Sequence, residues 1–95
     1  MTTLNNPSAL EELMEFPCEF NLKVMGYNQP ELINEVCAIV AANCNDFDPE
    51  GNVTTRESST AKYLALTVMM RAESKAQLDL IYQALHNHPL VKMTL

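Results

Sequence analysis

The spacing of apolar residues changes along the chain between two periods, one typical of strands and one typical of helices. Alternation with a period of two predicts a strand, because successive side chains of a strand point to opposite faces. On this basis we predict four strands, over residues 18–26, 53–57, 63–72 and 90–95. Apolar residues three and four positions apart predict two helices, one over residues 31–44 and one that begins after Ser74.

Turn and capping residues separate these elements. Ser74 followed by Gln77 is a capping box for the second helix, and Asn87 is expected to end it in the left-handed conformation. Residues 43–51 contain Asn, Asp, Pro and Gly and predict an acidic loop. Near the N-terminus, Asn6 and Pro7 predict the start of a short helix over residues 7–14, within an extension that covers residues 1–16.

The resulting order is β-α-β-β-α-β, which is the order of the ferredoxin-like split βαβ motif. We therefore predict one α+β domain over residues 1–95, a βαββαβ sandwich with a four-stranded antiparallel sheet. Right-handed crossovers place both helices on one face of this sheet. The first and third strands are the most apolar, and they are expected to be central.

Alternation also predicts which side chains point away from the helices. In the last strand, Val91, Met93 and Leu95 are expected to face the core. The outward side chains are rather apolar for free solvent and include several bases, so we predict that they pack under the N-terminal helix or form an interaction face for a partner or a second subunit. Its predicted members are Lys23, Met25, Tyr63, Met69, Arg71 and Lys92.

Composition limits the classes of partner. The chain has 95 residues, 47% of them hydrophobic, and a net charge of −6, so it does not provide the clustered bases that nucleic acid or an anionic membrane needs. No apolar run approaches the length of a transmembrane helix, and the N-terminus does not resemble a signal peptide. Cys18, Cys37 and Cys44 lie among apolar residues without a C-x-x-C spacing, which fits reduced thiols in the cytoplasm.

Catalytic chemistry finds little support in the sequence. No Ser or Cys lies beside an activating base, so we predict no catalytic residues and no enzyme activity. His86 and His88 could form a pair of metal ligands, but no Cys, Asp or Glu lies near them in sequence, and two exposed histidines at a helix end explain them better. We predict no metal site and no cofactor.

Several short motifs resemble the YbeD-like family of small bacterial proteins. The specific segments are Glu-Phe-Pro at residues 15–17 and Lys-Val-Met-Gly at residues 23–26, followed by the run over residues 56–63 and by apolar residues near the C-terminus. The match covers residues 13–95. Ala61 stands where the family pattern predicts Gly.

This resemblance implies an ACT-like fold and a regulatory role, and the family carries the label of a lipoic acid-binding regulatory protein. In ACT-like domains a small ligand binds beside the first strand-to-helix loop, which corresponds here to Gly26, Tyr27, Asn28 and Gln29. Glycine allows close backbone approach, and a helix N-terminus favours an anionic group. The alternative explanation of Gly26 is that it ends the strand.

Two functions remain open at this point. The first is a non-catalytic cytoplasmic regulatory domain that binds a small metabolite or a protein partner, with a link to lipoate metabolism implied by the family label. The second is a protein-interaction adaptor without a small-molecule ligand. Self-association into a homodimer, through an edge strand or the outward sheet face, is a separate prediction.

Overall fold

The computed structural model describes residues 14–94, and the helix predicted over residues 7–14 lies outside this range apart from Met14. The described part contains four strands and two helices. The strands are β1 (Cys18–Tyr27), β2 (Val53–Glu57), β3 (Tyr63–Ala72) and β4 (Val91–Thr94). The helices are α1 (Glu31–Asn43) and α2 (Lys75–His86).

The four strands form one antiparallel sheet in the order β2-β3-β1-β4. The two ten-residue strands, β1 and β3, are central and pair along their whole length, from Cys18 opposite Ala72 to Tyr27 opposite Tyr63. The shorter strands β2 and β4 form the edges. This arrangement confirms the predicted ferredoxin-like α+β fold.

A single core lies between the sheet and the two helices. Alternate residues of β1 and β3 supply its sheet side, and one stripe of each helix supplies the other side, as the period-two and helical patterns predict. Full burial of a Leu, Ile or Val side chain contributes about 1.5–3 kcal/mol to folding. The largest fully buried side chains of the core are Leu22, Val24, Leu32, Val36, Val40, Leu66, Val68, Leu78, Ile81 and Leu85.

Both ends of α2 show side-chain or backbone capping. The Ser74 hydroxyl accepts a hydrogen bond from the Gln77 backbone N–H at 3.1 Å, which confirms the predicted cap. The Gln77 side chain also donates to the Asn43 carbonyl at 2.7 Å and so connects the start of α2 to the end of α1. At the other end, Asn87 has right-handed angles (φ −85°, ψ −5°), so its predicted left-handed conformation is wrong.

The register of β4 changes between its pairs with β1. Met25 is opposite Met93 and Gly26 is opposite Val91, so Lys92 has no direct partner on β1. This irregularity interrupts the period of two, and Met93 lies on the face of the sheet away from the helices with 45% exposure. The prediction that Met93 faces the core is therefore wrong, whereas Val91 packs against the core as predicted. Leu95 lies outside the described residues.

The connection between β2 and β3 contains a residue in the left-handed conformation. Ala61 has a φ of +59°, which its Cβ makes unfavourable. Two hydrogen bonds surround it: its own N–H donates to the Ser58 carbonyl at 2.8 Å, and the Tyr63 N–H donates to the Ser58 hydroxyl at 3.1 Å. The glycine that the family pattern predicts here would adopt this conformation without the steric cost.

Candidate functional site

The predicted ligand loop begins at Gly26, and close packing is sufficient to explain why this residue is glycine. A Cβ at this position would lie 2.5 Å from the Leu90 carbonyl oxygen and 2.6 Å from a methyl group of Leu32. The glycine therefore allows the α2–β4 connection and the first turn of α1 to approach β1. Strand β1 continues to Tyr27, so Gly26 does not end the strand.

Asn28 connects this loop to the β2–β3 hairpin. Its side-chain amide donates to a Glu57 carboxylate oxygen at 2.8 Å and to the Ala61 carbonyl at 2.9 Å. Its backbone N–H donates to the Lys62 carbonyl at 3.0 Å. All three bonds join residues about thirty positions apart in sequence, so they hold the β1–α1 loop against the β2–β3 connection at one end of the sheet.

The remaining backbone donors of the loop are also paired within the chain. The N–H of Tyr27 donates to Leu90, that of Gln29 donates to Tyr27, and that of Leu32 donates to Gln29, with distances of 2.7–3.1 Å. Each of these groups would have to exchange its present partner to bind an anion at the start of α1. The structure thus brings Gly26, Tyr27, Asn28 and Gln29 together as a hydrogen-bonded junction.

The sheet face opposite the helices offers a second candidate site, which we call the open face. It comprises the β1 and β3 residues that alternate with the core positions, together with the residues opposite them on β2 and β4. Its members are Glu19, Asn21, Lys23, Met25, Tyr27, Thr54, Arg56, Tyr63, Ala65, Thr67, Met69, Arg71 and Met93. Both described helices pack on the other side of the sheet, against the core.

Methionines supply much of the apolar surface of the open face. Met25 is half-buried and lies directly opposite Met93, and Met69 lies on the neighbouring strand β3. Met69 and Met93 are 47% and 45% exposed. Flexible thioether side chains adapt to differently shaped partners, and they are common at binding surfaces for this reason.

Two tyrosines lie at the hairpin end of the open face. The ring centres of Tyr27 and Tyr63 are 5.7 Å apart, and the two ring planes are inclined at 38°. The Lys62 ammonium lies 5.5 Å from the centre of the Tyr63 ring. Tyrosine combines a large apolar surface with a hydroxyl group, and it is enriched where proteins bind other proteins. This pair extends the apolar surface from the methionines to the Asn28 junction.

The charge of the open face differs in sign from that of the whole chain. Lys23, Arg56 and Arg71 are its bases and Glu19 is its acid, which gives a formal net charge of +2. Arg71 is paired with Glu73 at 2.9 Å, so Lys23 and Arg56 supply most of the positive charge. The whole chain carries −6, so the residues outside the open face carry −8. Between β1, β2 and β3, a shallow depression of about 350 Å³ exposes Lys23 and Arg56 beside Met25 and Thr67.

The predicted interaction residues therefore lie mostly on one surface. Lys23, Met25, Tyr63, Met69 and Arg71 all belong to the open face. The sixth, Lys92, is exposed at the register irregularity of β4 and has no direct partner on β1.

Sequence reasoning did not place Tyr27, Thr54, Arg56 or Met93 on this surface. Tyr27 lies one residue beyond the predicted first strand. For Thr54 and Arg56, strand pairing carries the missing information. The alternation in β2 indicates a polar edge strand but not which of its residues lie opposite Ala65 and Thr67. Met93 was missed because of the register change in β4.

The cysteines are partly or fully buried, and both histidines are hydrogen-bonded within the chain. All three cysteines are free thiols, and burial raises the pKa of the Cys37 thiol, which reduces its thiolate fraction. His86 is hydrogen-bonded to the Thr94 hydroxyl at 2.9 Å, and His88 accepts from the Leu90 N–H at 3.1 Å. Among residues 14–94, no three His, Cys, Asp or Glu side chains come together as ligands for a metal ion.

The fold and its surfaces define a small α+β protein with a ferredoxin-like sheet and an open, partly apolar face. A family model described as "Protein of unknown function (DUF493)" matches residues 11–95. The chain belongs to this family. Neither helix in the described range is long and apolar enough to span a membrane.

Similar proteins support this assignment. The chain is 46% identical to a UPF0250 protein of Paraburkholderia phytofirmans, over 93% of this chain and 98% of that protein. It is 44% identical to the UPF0250 protein NE1487 of Nitrosomonas europaea, over 90% of this chain and 97% of that protein. The solution structure of HP0495 from H. pylori superimposes with a TM-score of 0.66 at 15% identity, over 86% of this chain and 85% of that chain, which supports the fold.

Proposed function

We propose that this protein is a non-catalytic regulatory domain of the cytoplasm that binds a protein partner through its open face. The observation that carries this proposal is the combination of exposed methionines and bases on one sheet face of an otherwise acidic chain. Met, Tyr and Arg, which are all present on this face, are enriched in protein-interaction surfaces.

The partner segment is expected to be acidic and to carry apolar side chains. Its carboxylates would approach Lys23 and Arg56, and its apolar side chains would cover Met69 and Met93. Charge complementarity of this kind accelerates association and disfavours partners of the wrong sign. A second copy of the same open face would bring two positive surfaces together, so a homodimer through this face is the less favourable arrangement.

Capture of a partner from a cell lysate by the tagged chain tests this proposal through two charge reversals. Lys23→Glu reverses a base on the open face, and Lys75→Glu reverses a base on α2, where the salt bridge to Asp79 is exposed and contributes little to stability. We expect the first variant to lose roughly tenfold or more of the captured partner, since about 1.4 kcal/mol corresponds to a factor of ten. The second variant should capture the wild-type amount. Equal capture by both variants would refute the assignment to the open face.

The small-metabolite form of regulation, with its link to lipoate, is the second form of this proposal. It is supported by the resemblance and by the position of the Gly26–Gln29 junction at the start of α1. Melting curves with lipoate, octanoate and amino acids at millimolar concentration test it, since a ligand that binds the folded state raises the melting temperature. A ligand of this site should lose its effect in Asn28→Ala, and an absence of any shift would count against this form.

A further inference from the structure

The N-terminal residues of the chain have a composition that complements the open face. Residues 1–13 contain Leu4, Leu10 and Leu13, the acids Glu11 and Glu12, and no Lys or Arg. The open face presents methionines and a net charge of +2. We propose that residues 1–13 of the same chain bind to the open face and thereby compete with the partner, a competition that rests on the proposed function.

The length of this segment is sufficient. Phe16 and Cys18 pack against the core, so the described chain enters the sheet at the end where β1 starts. From Cys18 to Met25 the strand rises about 23 Å, at roughly 3.3 Å per residue. Thirteen residues span up to about 45 Å when extended, at about 3.3–3.6 Å per residue. The segment can therefore reach the methionines of the open face even if part of it is not extended.

The charge distribution favours the part of the open face around Lys23 and Arg56. The loop after α1 carries Asp46, Asp48 and Glu50, which repel an acidic segment. Asp46 and Asp48 line a depression together with Glu19 and Met69, so this repulsion extends to the end of the open face where β1 starts. The start of α1 carries Glu31, which does the same. In the middle of the open face, by contrast, Lys23 and Arg56 lie beside the depression between the strands, and they offer the opposite charge next to Met25.

A segment tethered in this way acts at a high effective concentration, commonly millimolar for a short flexible connection. Even a weak contact would then be occupied in the free protein. A partner would have to displace the segment, so removal of the segment should increase partner capture. Added salt should weaken the contact, because exposed charges are screened.

Methyl resonances of the methionines test the proposal directly. Met25, Met69 and Met93 report on the open face, and Met70, which is 5% exposed, reports on the core. Deletion of residues 2–13 from the chain should shift the three open-face methyl resonances by more than their linewidth and leave the Met70 resonance in place. Unchanged open-face resonances would overturn the proposal.

Two double variants of the full-length chain keep the test decisive if the deletion also alters the core. The first, Glu11→Gln with Glu12→Gln, removes two acids from the segment, and the second, Glu31→Gln with Glu50→Gln, removes two acids elsewhere. We expect the first double variant to shift the open-face resonances in the same direction as the deletion and the second to leave them unchanged. Equal shifts from both double variants would overturn the proposal.

The result can be separated from that of the proposed function. If Lys23→Glu abolishes partner capture but the deletion leaves the open-face resonances unchanged, the partner site stands and the internal contact is refuted. If the resonances respond but no partner is captured, the internal contact stands and the partner site is refuted. When both are correct, the deletion variant captures severalfold more partner than the full-length chain.

Discussion

Ala61 occupies a backbone conformation that favours glycine, and replacing it with glycine should stabilise the protein. An L-residue with a Cβ loses about 1–2 kcal/mol in the left-handed region, where Ala61 has a φ of +59°. Glycine removes this cost but adds about 0.4–1 kcal/mol of conformational entropy to the unfolded chain. The expected net gain for Ala61→Gly is therefore about 0.5–1 kcal/mol.

Thermal and urea denaturation measure this change. For a chain of this size, 1 kcal/mol corresponds to roughly 4–8 °C, so the melting temperature should rise by about 2–8 °C. The matched control is Ala41→Gly in the exposed part of α1, where glycine is expected to cost about 1 kcal/mol. Opposite signs for the two substitutions support the reasoning. A loss of stability in both variants would refute it, because the conformation at residue 61 would then not be strained.

Three further predictions concern the junction and the partly buried Cys37 thiol. Gly26→Ala should destabilise the protein by about 1–3 kcal/mol in urea denaturation, because the new Cβ would overlap the Leu90 carbonyl; a neutral effect would contradict this packing. Asn28→Ala should cost about 1–2 kcal/mol and accelerate amide hydrogen exchange in the β2–β3 connection, since two hydrogen bonds of its side chain are lost; unchanged exchange there would contradict the role of this residue. Because burial raises the pKa of the Cys37 thiol, alkylation by iodoacetamide should be slower in the folded than in the unfolded chain and should accelerate as the pH rises towards the raised pKa; equal rates at neutral pH would contradict this.

Local patterns were sufficient to predict most of the secondary structure. The bounds of β2 and β3 agree with the predicted residues 53–57 and 63–72, because turn residues flank both strands and β3 alternates strictly. The Ser74 cap was also predictable, since its hydrogen bond joins residues three positions apart. These features depend only on near neighbours in sequence.

Features that depend on distant residues were not predictable in the same way. The bonds of Asn28 to Glu57 and Ala61 join two loops 29 and 33 residues apart, and no local pattern indicates them. The register change in β4 reverses the face of Met93, because one additional residue shifts the alternation. Membership of the open face was therefore predicted for the central strands apart from Tyr27, and incompletely for the edges.

Photo-crosslinking tests the role of the open face most directly, because the chain offers two exposed apolar positions on opposite sides of the molecule. Met93 lies on the open face with 45% exposure, and Leu80 lies on α2 with 56% exposure. A photoreactive phenylalanine analogue at either position, in otherwise identical proteins, would report which side contacts the partner. The proposed function predicts a crosslinked partner from position 93 and none from position 80. A crosslink from position 80 alone, or equal yields from both, would contradict it.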